Sequence, residues 1–230
     1  MDRKRGLLKI IAGILLFIAI VFIILPEAYE YIYGYFLFRR IGQNLTVNMP
    51  EDFDKATNVA FWVFDNIKGF SRQQQHEFMP SIDDTAFGIY RRGFGYCDQS
   101  AHVYATIMHY LGFKVQLLML INEKKISPHT VAVVDVEGKP MVVDTAYKFI
   151  FADNDKNPLP VEEFKNSEVF DEYLAVVRGL NANLKIDRPE FKSAWFKNGI
   201  YYKTFPYCGR QYILKKIKNK IKQRLTGKAH

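Results

Sequence analysis

The stretch RRGFGYCDQSAHVYATIMHYLGF, residues 91–113, decides the fold. Gly93 and Gly95 lead up to Cys97. From there Ala101, Tyr104, Ala105, Met108 and Leu111 recur at helical spacing, and Gly112 supplies a stop. The pattern predicts a helix over 97–111 that opens on a cysteine. The unpaired N–H groups of a first turn, with the helix macrodipole, favour a thiolate over a thiol. The glycines let the backbone bend sharply and a substrate come close. Cys97 in this position can be a nucleophile, half of a disulfide or a small core residue.

The sequence after the helix bears on that choice. Segments 114–121, 130–136 and 140–146 are rich in branched apolar residues, and Gly138 lies between the last two. They predict an antiparallel meander with the Cys97 helix packed on it. If Glu137 and Gly138 form a two-residue hairpin turn, Val136 faces Lys139 and Val131 faces Asp144. His129 then lies on the same sheet face, a diagonal neighbour of Asp144 at about 7–8 Å between backbones. A slip of one residue would send the two side chains to opposite faces. A thiol needs a base, and the base needs a group to orient it. Cys97, His129 and Asp144 supply all three, in that order.

On these residues the chain resembles the transglutaminase-like superfamily of papain-fold cysteine enzymes. The quoted matches are GYCDQSAHVYATIMHYLGFKVQLLMLI and SPHTVAVVDVEGKPMVVDTAY. Gly95, Cys97, Leu111, Gly112, His129 and Asp144 carry the likeness, over about 89–147. Many members have an aromatic soon after the histidine, a proline after the aspartate, or an aromatic directly after the cysteine. This chain has Thr130 and Val131, Thr145, and Asp98 there. The resemblance implies an α+β papain-like core and acyl transfer through a thioester. Cys97 would attack, His129 would shuttle the proton and Asp144 would fix the imidazole. The Cys97 backbone N–H would help form an oxyanion hole. Hydrolysis of a peptide or isopeptide bond in a peptide or protein substrate is the expected reaction, with no metal or organic cofactor. The alternative is an inactive relative that binds a peptide or cell-surface polymer. A third possibility is a structural protein closed by a Cys97–Cys208 bridge, the one disulfide that two cysteines allow.

The run LLKIIAGILLFIAIVFIIL, residues 7–25, is apolar apart from Lys9. As a helix it rises about 28 Å, close to the hydrocarbon thickness of a bilayer. It is longer than an ordinary signal-peptide core and no small-x-small cleavage site closes it. Tyr29, Tyr31, Tyr33, Tyr35, Phe36 and Phe38 follow as an interfacial aromatic belt. Arg3, Lys4, Arg5 and Lys9 lie on the N-terminal side. Residues 1–6 are therefore expected in the cytoplasm, 7–25 as a single transmembrane anchor, and the catalytic domain outside it, periplasmic in a Gram-negative host.

The net charge of +8 is local. Residues 209–230 hold eight basic side chains and no acid, so the rest of the chain balances 24 basic against 24 acidic groups. That distribution argues against a nucleic-acid partner. Ile213, Leu214, Ile217, Ile221 and Leu225 share one face of this tail. It reads as a lipid-binding helix, a partner-binding helix or a solvated terminus. The expected organisation adds a juxtamembrane aromatic segment at 26–50 and the transglutaminase-like domain at 51–208. Within the domain, helices are expected over 50–69 and 161–180, and a polar loop over 71–88. DNDKNP, residues 153–158, reads as an ordinary turn, because Pro158 stands where a calcium loop needs glycine and no acid occupies the twelfth position.

Overall fold

The computed structural model describes residues 2–69, 85–120, 129–159 and 200–204, together with 169, 172, 173, 175, 176 and 179. Within helices and strands some of these are described as backbone alone. The chain divides into two compact units, Met1–Phe36 with Pro206–His230, and Leu37–Phe205.

In the first unit, a long helix α1 (Asp2–Thr46) begins; it continues into the second unit. Ile10, Ile14, Phe17, Leu25, Tyr29, Tyr33 and Phe36 are exposed. Tyr29 and Tyr33, one helical turn apart, stack at 5.7 Å between ring centroids. Among the described residues no helix is long and apolar enough to cross a membrane. Most side chains of 7–25 lie outside those described.

The second unit holds the sheet. Its elements are the end of α1, α2 (Asp52–Asn66), β1 (Lys68–Gly69), α3 (Ala86–Arg92), β2 (Phe94–Gly95), α4 (Cys97–Tyr110), β3 (Val115–Leu120), β4 (His129–Val136), β5 (Lys139–Asp144), β6 (Phe149–Ile150) and β7 (Ile200–Thr204). The sheet order is β6-β5-β4-β3-β7, antiparallel throughout. The expected three-stranded meander is thus the centre of a wider sheet. β6 is only two residues long and β7 returns from about 80 residues further on, so neither shows as an alternating run.

β4 is buried along nearly its whole length because both faces of the sheet are covered. On one face Ala132, Val134, Val136, Met141 and Val143 pack with Ala101, Tyr104, Ile107 and Met108 of α4 and Val59 and Val63 of α2. On the other, Val131, Val133 and Val142 pack with Phe151 and Tyr173. Each fully buried aliphatic side chain here contributes about 1.5–3 kcal/mol relative to exposure. Tyr104 is the exception in chemistry: its hydroxyl is buried without a hydrogen-bond partner among the described residues, and burial pushes its phenol pKa upward.

α4 closes as its sequence indicates. Gly112, at φ 95°, donates to His109 O at 3.0 Å, and Phe113 donates to Met108 O at 3.0 Å. These are the two bonds of a Schellman ending. α2 stops earlier than expected, at Asn66. Ile67 turns extended at φ −116° and ψ 97°, and Lys68 and Gly69 pair in parallel with Phe94 and Gly95. The strand pairing, formed only in three dimensions, takes over the residues that a helical pattern would claim. The loop expected over 71–88 is described only from residue 85, and there it is incorrect. Thr85 Oγ1 accepts from Gly88 N at 2.9 Å and caps α3, which Gly93 ends in a left-handed conformation at φ 74°. Such a threonine cap is worth about 1 kcal/mol.

The end of the aromatic segment 26–50 packs into this unit rather than standing apart from it. Phe38 is buried against Tyr90, with rings 5.8 Å apart. A Cβ on Gly42 would meet Leu111 Cγ at 2.9 Å. The residues 153–158 form a turn, and Lys156 within it pairs with Asp54 at 2.9 Å. The Asp153 carboxylate accepts from Asp155 N at 2.9 Å and Asn157 N at 2.8 Å. Of the expected helix 161–180, the described residues are helical. Cys208 and the tail 209–230 lie outside the described residues.

Candidate active site

Cys97 is the first residue of α4 and is free and half-buried. The approach to it is held by two side chains. Arg92 donates through Nε to Phe94 O at 2.8 Å and through Nη2 to Gln99 Oε1 at 2.8 Å. The same Gln99 oxygen accepts from Tyr96 N at 3.1 Å, which ties the start of the helix to its third residue. Gly93 is required for its left-handed turn. Gly95 is required for a different reason from the expected one: a Cβ there would meet Gln99 Oε1 at 2.9 Å. The close approach that excludes a side chain is made by the protein itself.

The register of β4 and β5 is the one counted from the turn. Val136 pairs with Lys139 and Ala132 with Val143, which sets Val131 opposite Asp144. Glu137 and Gly138 have φ of 53° and 82°, the two positive values of a type I′ turn. Asp135 Oδ1 accepts from Gly138 N at 2.8 Å and steadies it. His129 therefore shares a face with Asp144. Its Nε2 lies 2.6 Å from Asp144 Oδ2, and both side chains are almost wholly buried. With Nε2–H donated to the carboxylate, Nδ1 is left as the basic nitrogen. The Cys97 side chain is among the groups that favour the protonated form of the same ring.

Asp144 is fixed on every side. Oδ1 accepts from Ala146 N at 2.9 Å and Tyr147 N at 3.2 Å. Oδ2 accepts from Tyr173 Oη at 2.8 Å as well as from His129. Next to it, Thr145 points to the opposite face and its hydroxyl meets Ser100 Oγ of α4 at 2.6 Å. That bond joins the cysteine helix to the strand that carries the acid. Tyr147 lies over the imidazole at 5.3 Å between centroids.

Burial alone would disfavour a charged imidazole. The Asp144 carboxylate, the Cys97 sulfur and the hydrogen bonds to both outweigh it, and His129 is pushed up to about 10. A half-buried cysteine with a buried imidazole and carboxylate, in this order, can form a nucleophile, a proton carrier and its orienting acid.

Of the residues singled out from sequence, His129 and Asp144 meet directly, and Cys97 is among the groups that raise the His129 pKa. Gln99, Arg92, Ser100, Thr145, Tyr147 and Tyr173 were not anticipated as supports. Gln99 carries a sequence signal, because a Gln three residues past a helix-capping position reaches back to that backbone. Tyr173 carries none: it is 29 residues from Asp144.

No family profile matches the chain, and no curated protein matches it. Solved structures do. The chain is similar to a candidate protease from Parabacteroides distasonis, at 12% identity and TM-score 0.38, over 47% of this chain and 23% of that one. It is similar to a candidate cysteine protease from Cytophaga hutchinsonii, at 15% identity and TM-score 0.39, over 48% and 37%. It is similar to a TGase, at 15% identity and TM-score 0.43, over 60% and 38%. The matched region spans less than two fifths of each of these structures.

Proposed function

We propose that this chain is a membrane-anchored, cysteine-dependent acyl-transfer enzyme that hydrolyses a peptide or isopeptide bond. The observation that carries the reading is the buried His129–Asp144 bond of 2.6 Å, with Cys97 at a helix start acting on the same ring. In the reaction the Cys97 sulfur attacks the acyl carbon, and His129 holds the thiol proton. The tetrahedral oxyanion is received by the Cys97 backbone N–H, which the first turn of α4 leaves without an intrahelical acceptor. His129 gives its proton to the leaving amine as the thioester forms. A water, deprotonated by His129, then releases the acid and restores the thiol.

The anchor is residues 7–25, with the N-terminus in the cytoplasm and the catalytic unit outside. Its support is the sequence within helix α1, apolar apart from Lys9, and the exposed Ile14, Phe17 and Leu25 with Tyr29 and Tyr33 beyond them. An alkaline phosphatase fused after His230 and expressed in a bacterial host should be active; an inactive fusion would reverse the orientation.

Thiol chemistry tests the enzyme reading. In the full-length protein, Cys97 should react with iodoacetamide near neutral pH, and His129→Ala should slow it by about tenfold or more. A rate typical of an ordinary thiol, unchanged in the variant, would favour a binding module instead.

A further inference from the structure

Tyr173 lies far outside the stretch that resembles known thiol enzymes, yet it reaches the centre of the site. Its hydroxyl donates to Asp144 Oδ2, the oxygen that also receives the His129 proton. The ring that aims it is immobilised. It is fully buried, with Phe151 at 4.9 Å, Phe149 at 5.2 Å and Tyr147 at 6.2 Å between centroids. The parity of the strands explains the meeting. His129 and Asp144 point to the face of Val131, Val133 and Val142, and that face is where Tyr173 packs. Burial first, and then the Asp144 charge, hold the phenol well above its ordinary pKa, so it remains a donor.

Two donors on one carboxylate oxygen compete for the same electron density. Each hydrogen bond spreads part of the negative charge and leaves less to hold the other proton. Oδ1 is already taken by two backbone N–H groups, so the carboxylate has little freedom to rotate away from the competition. We propose that Tyr173 is a positioning residue that sets how tightly Asp144 holds the proton of His129. Without it the imidazolium would be held harder and would give its proton less readily to a leaving amine. This inference rests on the acyl-transfer reading of the site.

The test is Tyr173→Phe in the full-length protein, which keeps the ring and removes only the hydroxyl. The titration midpoint of the His129 ring is read by 15N NMR, with His129→Ala identifying the signal. The expected result is an upward move of about half a unit to one unit. An unchanged midpoint overturns the proposal. So does a downward one, which is what a loosened Asp144 would give. If Tyr173→Phe does not fold, 3-fluorotyrosine placed at 173 keeps the shape and makes a stronger donor. The midpoint should then fall, and no movement again overturns the proposal. Failure of the wider reading looks different: iodoacetamide labelling of Cys97 would be unaffected by His129→Ala, whatever Tyr173 does.

Discussion

The β4–β5 hairpin and the helical segment around Tyr173 converge on one carboxylate, but chain distance separates them. The hairpin brings His129 to Asp144 across 15 residues, by a two-residue turn and strict alternation. Tyr173 comes to the same oxygen from 29 residues further on, by packing against Phe149 and Phe151. One arrangement is a matter of counting; the other exists only once the second face of the sheet has been covered. The chemistry of the site needs both, because a buried carboxylate must have its lone pairs satisfied.

The largest effect expected in this comparison comes from removing the shared acceptor. Asp144→Ala would leave His129 and Tyr173 buried without their partner and the N–H groups of Ala146 and Tyr147 without theirs. A loss of about 3–5 kcal/mol is expected in denaturant unfolding, the size found when one partner of a buried pair is removed. A loss below 1 kcal/mol would mean that the carboxylate is not a junction.

pH tests the His129–Asp144 pair of the hairpin. His129 is raised from 6.5 to about 10 in the folded chain, so between those values the native state binds more protons than the unfolded one. Stability from this group is therefore fully present below pH 6.5 and is lost as pH rises through about 10. Chemical denaturation midpoints should fall across that window, and His129→Gln should flatten the slope. A wild-type midpoint that rises there contradicts the assignment.

The turn offers smaller perturbations. Gly138 has φ 82° and a Cβ on it would meet nothing within 4 Å, so Gly138→Ala should cost only the backbone strain, about 1–2 kcal/mol. Glu137 has φ 53° in a position that favours asparagine, and Glu137→Asn should gain about 0.5 kcal/mol in thermal unfolding. If the first is neutral or the second destabilising, the positive-φ turn that fixes the register is wrong.

These residues also show what the sequence could and could not reveal. The helix opening on Cys97, its end at Gly112 and the pairing of Val136 with Lys139 follow from local periodicity, a glycine stop and a turn of known length. The helix α3 was legible in principle from Thr85 and Gly93, but its seven residues are too few for periodicity to show. The end of α2 and the edge strands β6 and β7 depend on partners distant in the chain, so no local pattern announces them. The sequence around Gly95 suggests room for substrate. It is room for Gln99, a distinction that only the position of a neighbouring side chain can make.

The central claim is that Cys97 takes up an acyl group with help from His129. An activated ester such as p-nitrophenyl acetate, mixed with the full-length protein, tests it without knowledge of the natural substrate. A burst of p-nitrophenol equal to the amount of protein is expected, with one acetyl group on Cys97 by peptide mass mapping. Both should disappear in Cys97→Ala, and the burst should slow sharply in His129→Ala. Acetylation spread over lysines, or a burst that is indifferent to either substitution, would contradict the account.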